Sequence, residues 1–166
     1  SSLDHNSSLC QTPYVVMLTE NYRCHAKILE FPSDCFYGGE LIAKGDQSTH
    51  DLVPVLSFYA AQGMDNRDEG SLAYYNDAEV AEVVKRVEEL IQLWPNDWSK
   101  SIGVLTPYHD QVKRIRDSLR KKNLRYVDVE TVENVQGKEF KALFISTVRT
   151  MWTCSQIEGR NLDDPS

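Results

Sequence analysis

Three clusters in this 166-residue chain join side chains able to handle phosphates, sugars or bases. The first is Asn21-Tyr22-Arg23-Cys24-His25, directly after the apolar run 14–18 and ahead of Ile28 and Leu29. A ring beside a guanidinium at a strand's carboxyl end can stack on a base while reaching phosphate oxygens. The same pair also reads as a core tyrosine and a surface ion pair, and His25 as a residue packing a short helix. The second cluster, Thr106-Pro107-Tyr108-His109, ends one apolar run and opens a helix. Thr before Pro suits a cap and first turn, whose unpaired amides attract an anion such as a nucleic-acid phosphate; a plain helix cap explains it equally. The third runs from Val129 to Glu139. Gly137 permits a tight turn, from which Glu139 can project and accept a ribose hydroxyl. A polar turn before a strand is the alternative. Gly137-Lys138 is not a Walker loop, because no upstream glycine has the required spacing and Glu139 stands where Ser or Thr is needed.

Elements must hold these clusters. Five apolar, partly β-branched runs read as strands: 14–18, 53–59, 101–105, 126–129 and 142–148. Between the second and third, Val80, Val83, Val84, Val87, Leu90, Ile91 and Trp94 recur at three-and-four spacing, one face of an amphipathic helix. Asn76 is its N-cap, Asp77 and Glu79 favour its positive end, and Pro95 stops it. A second helix spans about 108–121 with Val112, Ile115 and Leu119 inward and Asn123 as its stop. Strands alternating with helices predict an open, mostly parallel α/β sheet covered by helices on both faces. Ligands then bind beyond the strands' carboxyl ends, so Tyr22, Arg23 and Glu139 are expected to meet along that rim. Residues 44–52 and the acidic stretch 60–75 read as surface loops. Residues 1–13 read as a flexible lead-in, 14–150 as the domain, and 151–166 as a tail beyond which the domain continues.

The net charge of −7 excludes nucleic-acid binding by bulk electrostatics. Contacts must be local, and the second predicted helix supplies a basic patch: Lys113, Arg114, Arg116, Arg120, Lys121, Lys122 and Arg125 face only Asp110 and Asp117. A solvated helix face is the plainer reading. The four cysteines lack both CxxC pairs and a disulfide framework, and read as thiols in a reducing compartment, cytoplasmic or nuclear. Cys24, His25 and Cys35 match no zinc-finger or ribbon spacing, so no metal is expected. No stretch approaches the ~20 apolar residues that cross a bilayer.

Taken in order, Leu18-Thr19-Glu20-Asn21-Tyr22-Arg23-Cys24-His25, Phe36-Tyr37-Gly38-Gly39-Glu40-Leu41, Gly103-Val104-Leu105-Thr106-Pro107-Tyr108, Val135-Gln136-Gly137-Lys138-Glu139 and Ser146-Thr147-Val148-Arg149 resemble the second RecA-like domain of superfamily 1 helicases. Within these the series looks like the nonsense-mediated-decay-helicase-like group, closest to the helicase-with-zinc-finger subfamily. The resemblance implies that Tyr22 stacks on adenine, Arg23 reaches the terminal phosphate and stabilises transition-state charge, and Glu139 holds the ribose. It implies that Thr106, Pro107 and Tyr108 lie near single-stranded nucleic acid, that Thr131 touches its backbone, and that Gln136 and Gly137 shape a loop coupling the two sites. Arg116 and Arg120 would add phosphate contacts. The implied cofactors are ATP and Mg2+; the implied partners are an upstream RecA-like domain and single-stranded nucleic acid, RNA favoured over DNA.

The chain lacks the family's Walker A lysine, magnesium-binding acidic motif and water-activating carboxylate, and ends before the last motif. The isolated chain is therefore expected neither to hydrolyse ATP nor to unwind a duplex. The alternative is a non-catalytic scaffold of the same fold that binds nucleic acid or protein.

Overall fold

The structure is a computed structural model that describes residues 16–48, 53–93 and 101–149. The expected lead-in, the strand residues Tyr14 and Val15, the helix end at Trp94 and Pro95, and the tail lie outside the described residues. The chain divides into two units, one ending at Phe58 and the other beginning at Tyr59.

In the first unit, β1 (Glu20–Asn21) pairs in parallel with β2 (Ile42–Ala43), and α1 (Ala26–Phe36) connects them. His25 holds an extended backbone, and its ring accepts the Lys27 N–H to cap α1. Helix α1 runs through Pro32 and turns at Gly38 and Gly39, whose φ angles of 60° and 81° suit residues without a Cβ. Ser33 ties the helix end to β2: its carbonyl accepts from the Tyr37 and Gly39 N–H groups, and its hydroxyl from that of Leu41. The strand expected at 14–18 is not found among its described residues, and Val16 and Leu18 are each 81% exposed. A strand exists only where a neighbour pairs with it, and β2 offers just two residues, flanked by Ile42 N–H to Thr19 O and Lys44 N–H to Asn21 O, both 2.7 Å. The expected strand at 53–59 is also absent: Pro54 offers no donor to a ladder, and Leu56 and Phe58 are exposed.

The second unit carries α2 (Asp77–Leu93), β3 (Ile102–Thr106), α3 (His109–Lys121), β4 (Asp128–Thr131), a 3-10 turn (Val132–Val135) and β5 (Ala142–Ile145). The sheet order is β4-β3-β5, all parallel. Asn76 caps α2 as expected, its Oδ1 accepting from the Ala78 and Glu79 N–H groups at 3.0 and 3.2 Å. Val80, Val83, Val84, Val87 and Leu90 form the buried stripe of α2, and it packs on α3, which buries Val112, Ile115 and Leu119. Each such aliphatic side chain contributes roughly 1.5–3 kcal/mol by leaving water. Helix α3 ends in a Schellman motif: Asn123 has φ 61°, its N–H reaches Arg120 O, and the Leu124 N–H reaches Leu119 O. That closure consumes residues 122–125, so β4 begins at Asp128 rather than Tyr126, which is exposed. In β5, Leu143 and Ile145 lie on an exposed face.

Candidate functional site

Tyr22 and Arg23 follow directly on β1, and local chemistry sets their backbone. Asn21 Oδ1 accepts from both the Arg23 and Cys24 N–H groups, at 3.0 and 2.8 Å, which folds the chain back as an Asx turn. Gly45 lies against the turn from the other side: a Cβ there would stand 2.9 Å from Tyr22 O and 3.1 Å from Arg23 C, so only glycine permits the approach. Gln47 then bridges the loop to the helix, accepting the Ala26 N–H at 2.8 Å and donating to Gly45 O at 2.9 Å. The Tyr22 ring is 72% exposed, and its hydroxyl donates to Glu20. That bond to a carboxylate raises the phenol's pKa. Arg23 is exposed as well. An exposed ring on a pinned loop offers a stacking face to a ligand. Sequence reading passed over Gly45 and Gln47 because both sit in what looked like an ordinary loop. His25 proves to be the cap of α1 rather than a packing residue.

The second unit brings Thr106, Pro107, Tyr108 and Thr131 to one edge, whereas Arg116 and Arg120 lie further along α3, beside residues 127–129 of the neighbouring strand segment. Thr106 and Thr131 are register partners at the carboxyl ends of β3 and β4, 0% and 2% exposed. The Thr106 hydroxyl is, among the described residues, the buried side-chain polar group without a hydrogen-bond partner. Pro107 is exposed, and Tyr108 is the N-cap of α3 without a side-chain cap bond, so the first amides of that helix are not met by a capping side chain.

A buried polar network backs this edge. Gln111 donates to Ser146 Oγ at 2.9 Å, and Ser146 Oγ donates to Glu79 Oε2, which also accepts the Val148 N–H at 2.9 Å. Val148 is 1% exposed and has φ 67°, an unfavourable conformation for a β-branched residue. The Arg149 N–H closes that turn onto Thr147 O at 2.7 Å. Arg149 then donates to Asp65 at 3.1 Å and lies over the Tyr74 ring at 4.1 Å. Residues 60–75, read from sequence as a surface loop, are thus tied down: Asn66 and Tyr75 form a bridge, and Ser71 donates to Asp110 at 2.6 Å. That bond, with the Lys113 ammonium, holds the Asp110 carboxyl below its usual pKa.

From Thr131 the chain passes through the 3-10 turn into a type II turn at 135–138. Gln136 has φ −54° and ψ 125°, Gly137 has φ 82°, and the Lys138 N–H reaches Val135 O at 2.9 Å. The tight turn expected at Gly137 is present. Lys138 ties it to β4, donating to Asp128 at 2.7 Å and lying 3.4 Å from Glu130; the Asp128 carboxylate raises its pKa. Phe140 packs so closely on Gly103 that a Cβ there would stand 2.7 Å from the ring, and the Lys141 N–H reaches Ser101 O at 2.8 Å. These contacts set Glu139, which is exposed, beside the amino ends of β3 and β5. The expected position on the carboxyl rim is therefore corrected: the chain must travel back along the sheet before it can enter a parallel strand. Tyr22 and Arg23 belong to the first unit and Glu139 to the second.

The basic helix is not a simple cationic face. Arg114 pairs with Asp68 at 3.1 Å and Asp77 at 3.3 Å and stacks 3.4 Å over the Tyr75 ring. Arg116 donates twice to Val129 O, at 3.0 and 2.6 Å, and lies 3.3 Å from Glu130. It clamps α3 to β4, a use of the guanidinium that charge counting does not reveal. Arg120 pairs with Asp117, both well exposed, and Lys122 with Glu88. Among the described residues no three His, Cys, Asp or Glu side chains converge as metal ligands, and Cys24 and Cys35 are free thiols. No described helix is long and apolar enough to cross a membrane.

Parallel strands linked by helices, with the motif threonines adjacent at the strands' carboxyl ends, define an open α/β domain of RecA type. Comparison with known proteins agrees. The AAA domain family matches residues 2–162. The "Probable helicase with zinc finger domain" of Homo sapiens is 53% identical over 146 residues, and its Danio rerio counterpart 52%, each alignment covering 86% of this chain. The "RNA helicase Mov10l1" of Homo sapiens is 35% identical over 147 residues, covering 82%. The chain spans 8%, 8% and 12% of the length of these relatives. It belongs to the AAA domain family, as a superfamily 1 helicase domain in the subfamily of helicases with a zinc finger domain.

Proposed function

We propose that this chain is the second motor domain of an ATP-dependent helicase that moves along single-stranded RNA, completing an ATP site begun by an upstream RecA-like domain. The observation that carries the reading is the path of residues 131–139. Thr131 stands at the carboxyl edge beside Thr106, and Glu139 at the amino edge, on one short segment held by Lys138 and Phe140. In this reading the segment is a mechanical link between the edge that borders the nucleic acid and the ribose of the nucleotide.

In this reading Tyr22 stacks on the adenine, Arg23 meets the phosphates, and Glu139 accepts from the ribose hydroxyls. Gly137 gives the link its turn. The exposed ring and guanidinium, pinned by Asn21, Gly45 and Gln47, fit such a half-site. Mg2+ would be held with ATP by residues of the upstream domain and would supply charge neutralisation at the phosphates. At the carboxyl edge, the exposed Pro107 and half-buried Tyr108 border the strand's backbone, with the buried Thr106 and Thr131 shaping the edge beneath them rather than touching it, so little base preference is expected. The phosphate contacts expected of Arg116 and Arg120 are not carried into this edge, because Arg116 braces β4 through Val129 O and Arg120, in the last turn of α3, lies with Val127 and Asp128 toward the amino end of β4. RNA is favoured over DNA because one relative is named an RNA helicase.

The test is Arg23→Ala in the full-length polypeptide. RNA-stimulated ATP turnover is expected to fall by about 100-fold or more, with ATP affinity changing far less, because the guanidinium acts on transition-state charge. Unchanged turnover removes Arg23 from the site.

A further inference from the structure

The strand-binding edge reaches further than the motif residues, and the loop at 60–75 carries the extension. Its aspartates are paired: the buried side chain of Asp65 with Arg149 and the exposed Asp68 with Arg114. Arg67 differs. It is exposed, and its guanidinium lies over the Tyr74 ring at 5.7 Å. Tyr74 in turn meets Tyr108 edge-on, ring centroids 5.9 Å apart. Tyr74 is fixed from a second direction by Arg149, 4.1 Å over its ring. A cation thus lies over a ring that itself meets the Tyr108 ring edge-on, an alternation of aromatic and cationic groups that suits a single strand, whose bases stack and whose phosphates repeat.

We infer that Arg67 is a further phosphate contact for single-stranded nucleic acid, that Tyr74 positions it, and that the loop sequence marks as acidic is part of the nucleic-acid face. The inference rests on the reading that Thr106 and Tyr108 border the strand. Aspartates 65 and 68 serve it indirectly: they hold Arg149 and Arg114 and so fix the loop on which Arg67 stands, while their own charge is balanced against those guanidiniums. Glu69 is the loop's remaining acid and the local opponent of phosphate binding.

The experiment uses the full-length polypeptide without nucleotide and a fluorescein-labelled oligouridylate, with affinity followed by anisotropy between about 50 and 300 mM salt. Arg67→Ala is expected to weaken binding about threefold to tenfold and to reduce the slope of log affinity against log salt by about 0.7, the value for one phosphate contact on a single strand. Arg67→Lys is expected to restore the slope, since it keeps the charge, whereas Arg67→Glu is expected to weaken binding beyond the alanine variant. An unaltered slope in Arg67→Ala overturns the inference. Tyr108→Ala in the same series tests the underlying reading separately. If Tyr108→Ala weakens binding and Arg67→Ala does not, the edge stands and the extension falls. If Tyr108→Ala has no effect, the assignment of the edge itself is refuted.

Discussion

Replacing Asn76 by alanine tests the energetics of the second unit at one residue. Asn76 is 3% exposed and serves two roles. Its Oδ1 caps α2 through the Ala78 and Glu79 N–H groups, and its Nδ2 donates to Gly63 O and Val148 O, each at 3.4 Å. Loss of a cap costs about 1 kcal/mol. The two long bonds to carbonyls add about 0.5 kcal/mol each, the low end of the range for a hydrogen bond. The sum is about 2 kcal/mol, and for a chain of this size it lowers the melting temperature by roughly 4–8 °C. Asn76→Ser keeps an oxygen for the cap but cannot reach both carbonyls, so it should recover about half of the loss. Urea unfolding of the chain, followed by circular dichroism with the denaturant slope checked for constancy, measures both variants. An alanine variant within 0.5 kcal/mol of the parent would refute the argument that this side chain joins the start of α2 to the strained turn at Val148.

Two further outcomes follow from the geometry. Gly45→Ala places a Cβ 2.9 Å from Tyr22 O, so the Tyr22-Arg23 loop must shift by several tenths of an ångström; ATP turnover by the full-length polypeptide should fall about 10-fold to 100-fold while its melting temperature changes by only a few degrees. Asp110 titrates below the ordinary aspartate value because Ser71 and Lys113 stabilise its charged form. A carboxyl depressed by folding stabilises the fold above its unfolded pKa of about 3.9 and loses that contribution as pH falls through the folded value. Ser71→Ala should therefore move the Asp110 carbon-13 titration upward and shrink the acid-induced loss of stability below pH 4, a window set by that aspartate value. An unmoved titration would show that the Ser71 hydroxyl is not its partner.

Much of the second unit was legible because its signals are local. The valine stripe of α2, the Asn76 cap and the Asn123 stop each lie within a few residues of the element they shape. The strands of the first unit were not, because an apolar run says nothing about whether a partner is long enough to pair with it. Val16 and Leu18 read as core and stand exposed. The basic helix misled for a similar reason: Asp68, Asp77, Glu88 and Val129, which engage its cations, are distant in sequence. Candidate site residues came from motif order, whereas their supports did not. Gly45 and Gln47 behind Tyr22-Arg23, Phe140 and Lys138 around Glu139, and Glu79 behind Val148 are visible only once the chain is folded. Composition also hid the direction of the 131–139 segment, because a turn motif does not say which end of a sheet it reaches.

In the proposed function the loop after β1 forms the adenine side of an ATP site shared with an upstream domain. Photo-crosslinking of the full-length polypeptide with 8-azido-ATP, followed by peptide mapping, measures it most directly. The account predicts label on the peptide containing Tyr22, suppressed by excess ATP and lost in Tyr22→Ala. Label confined to peptides outside residues 16–48, unchanged in Tyr22→Ala, would contradict it.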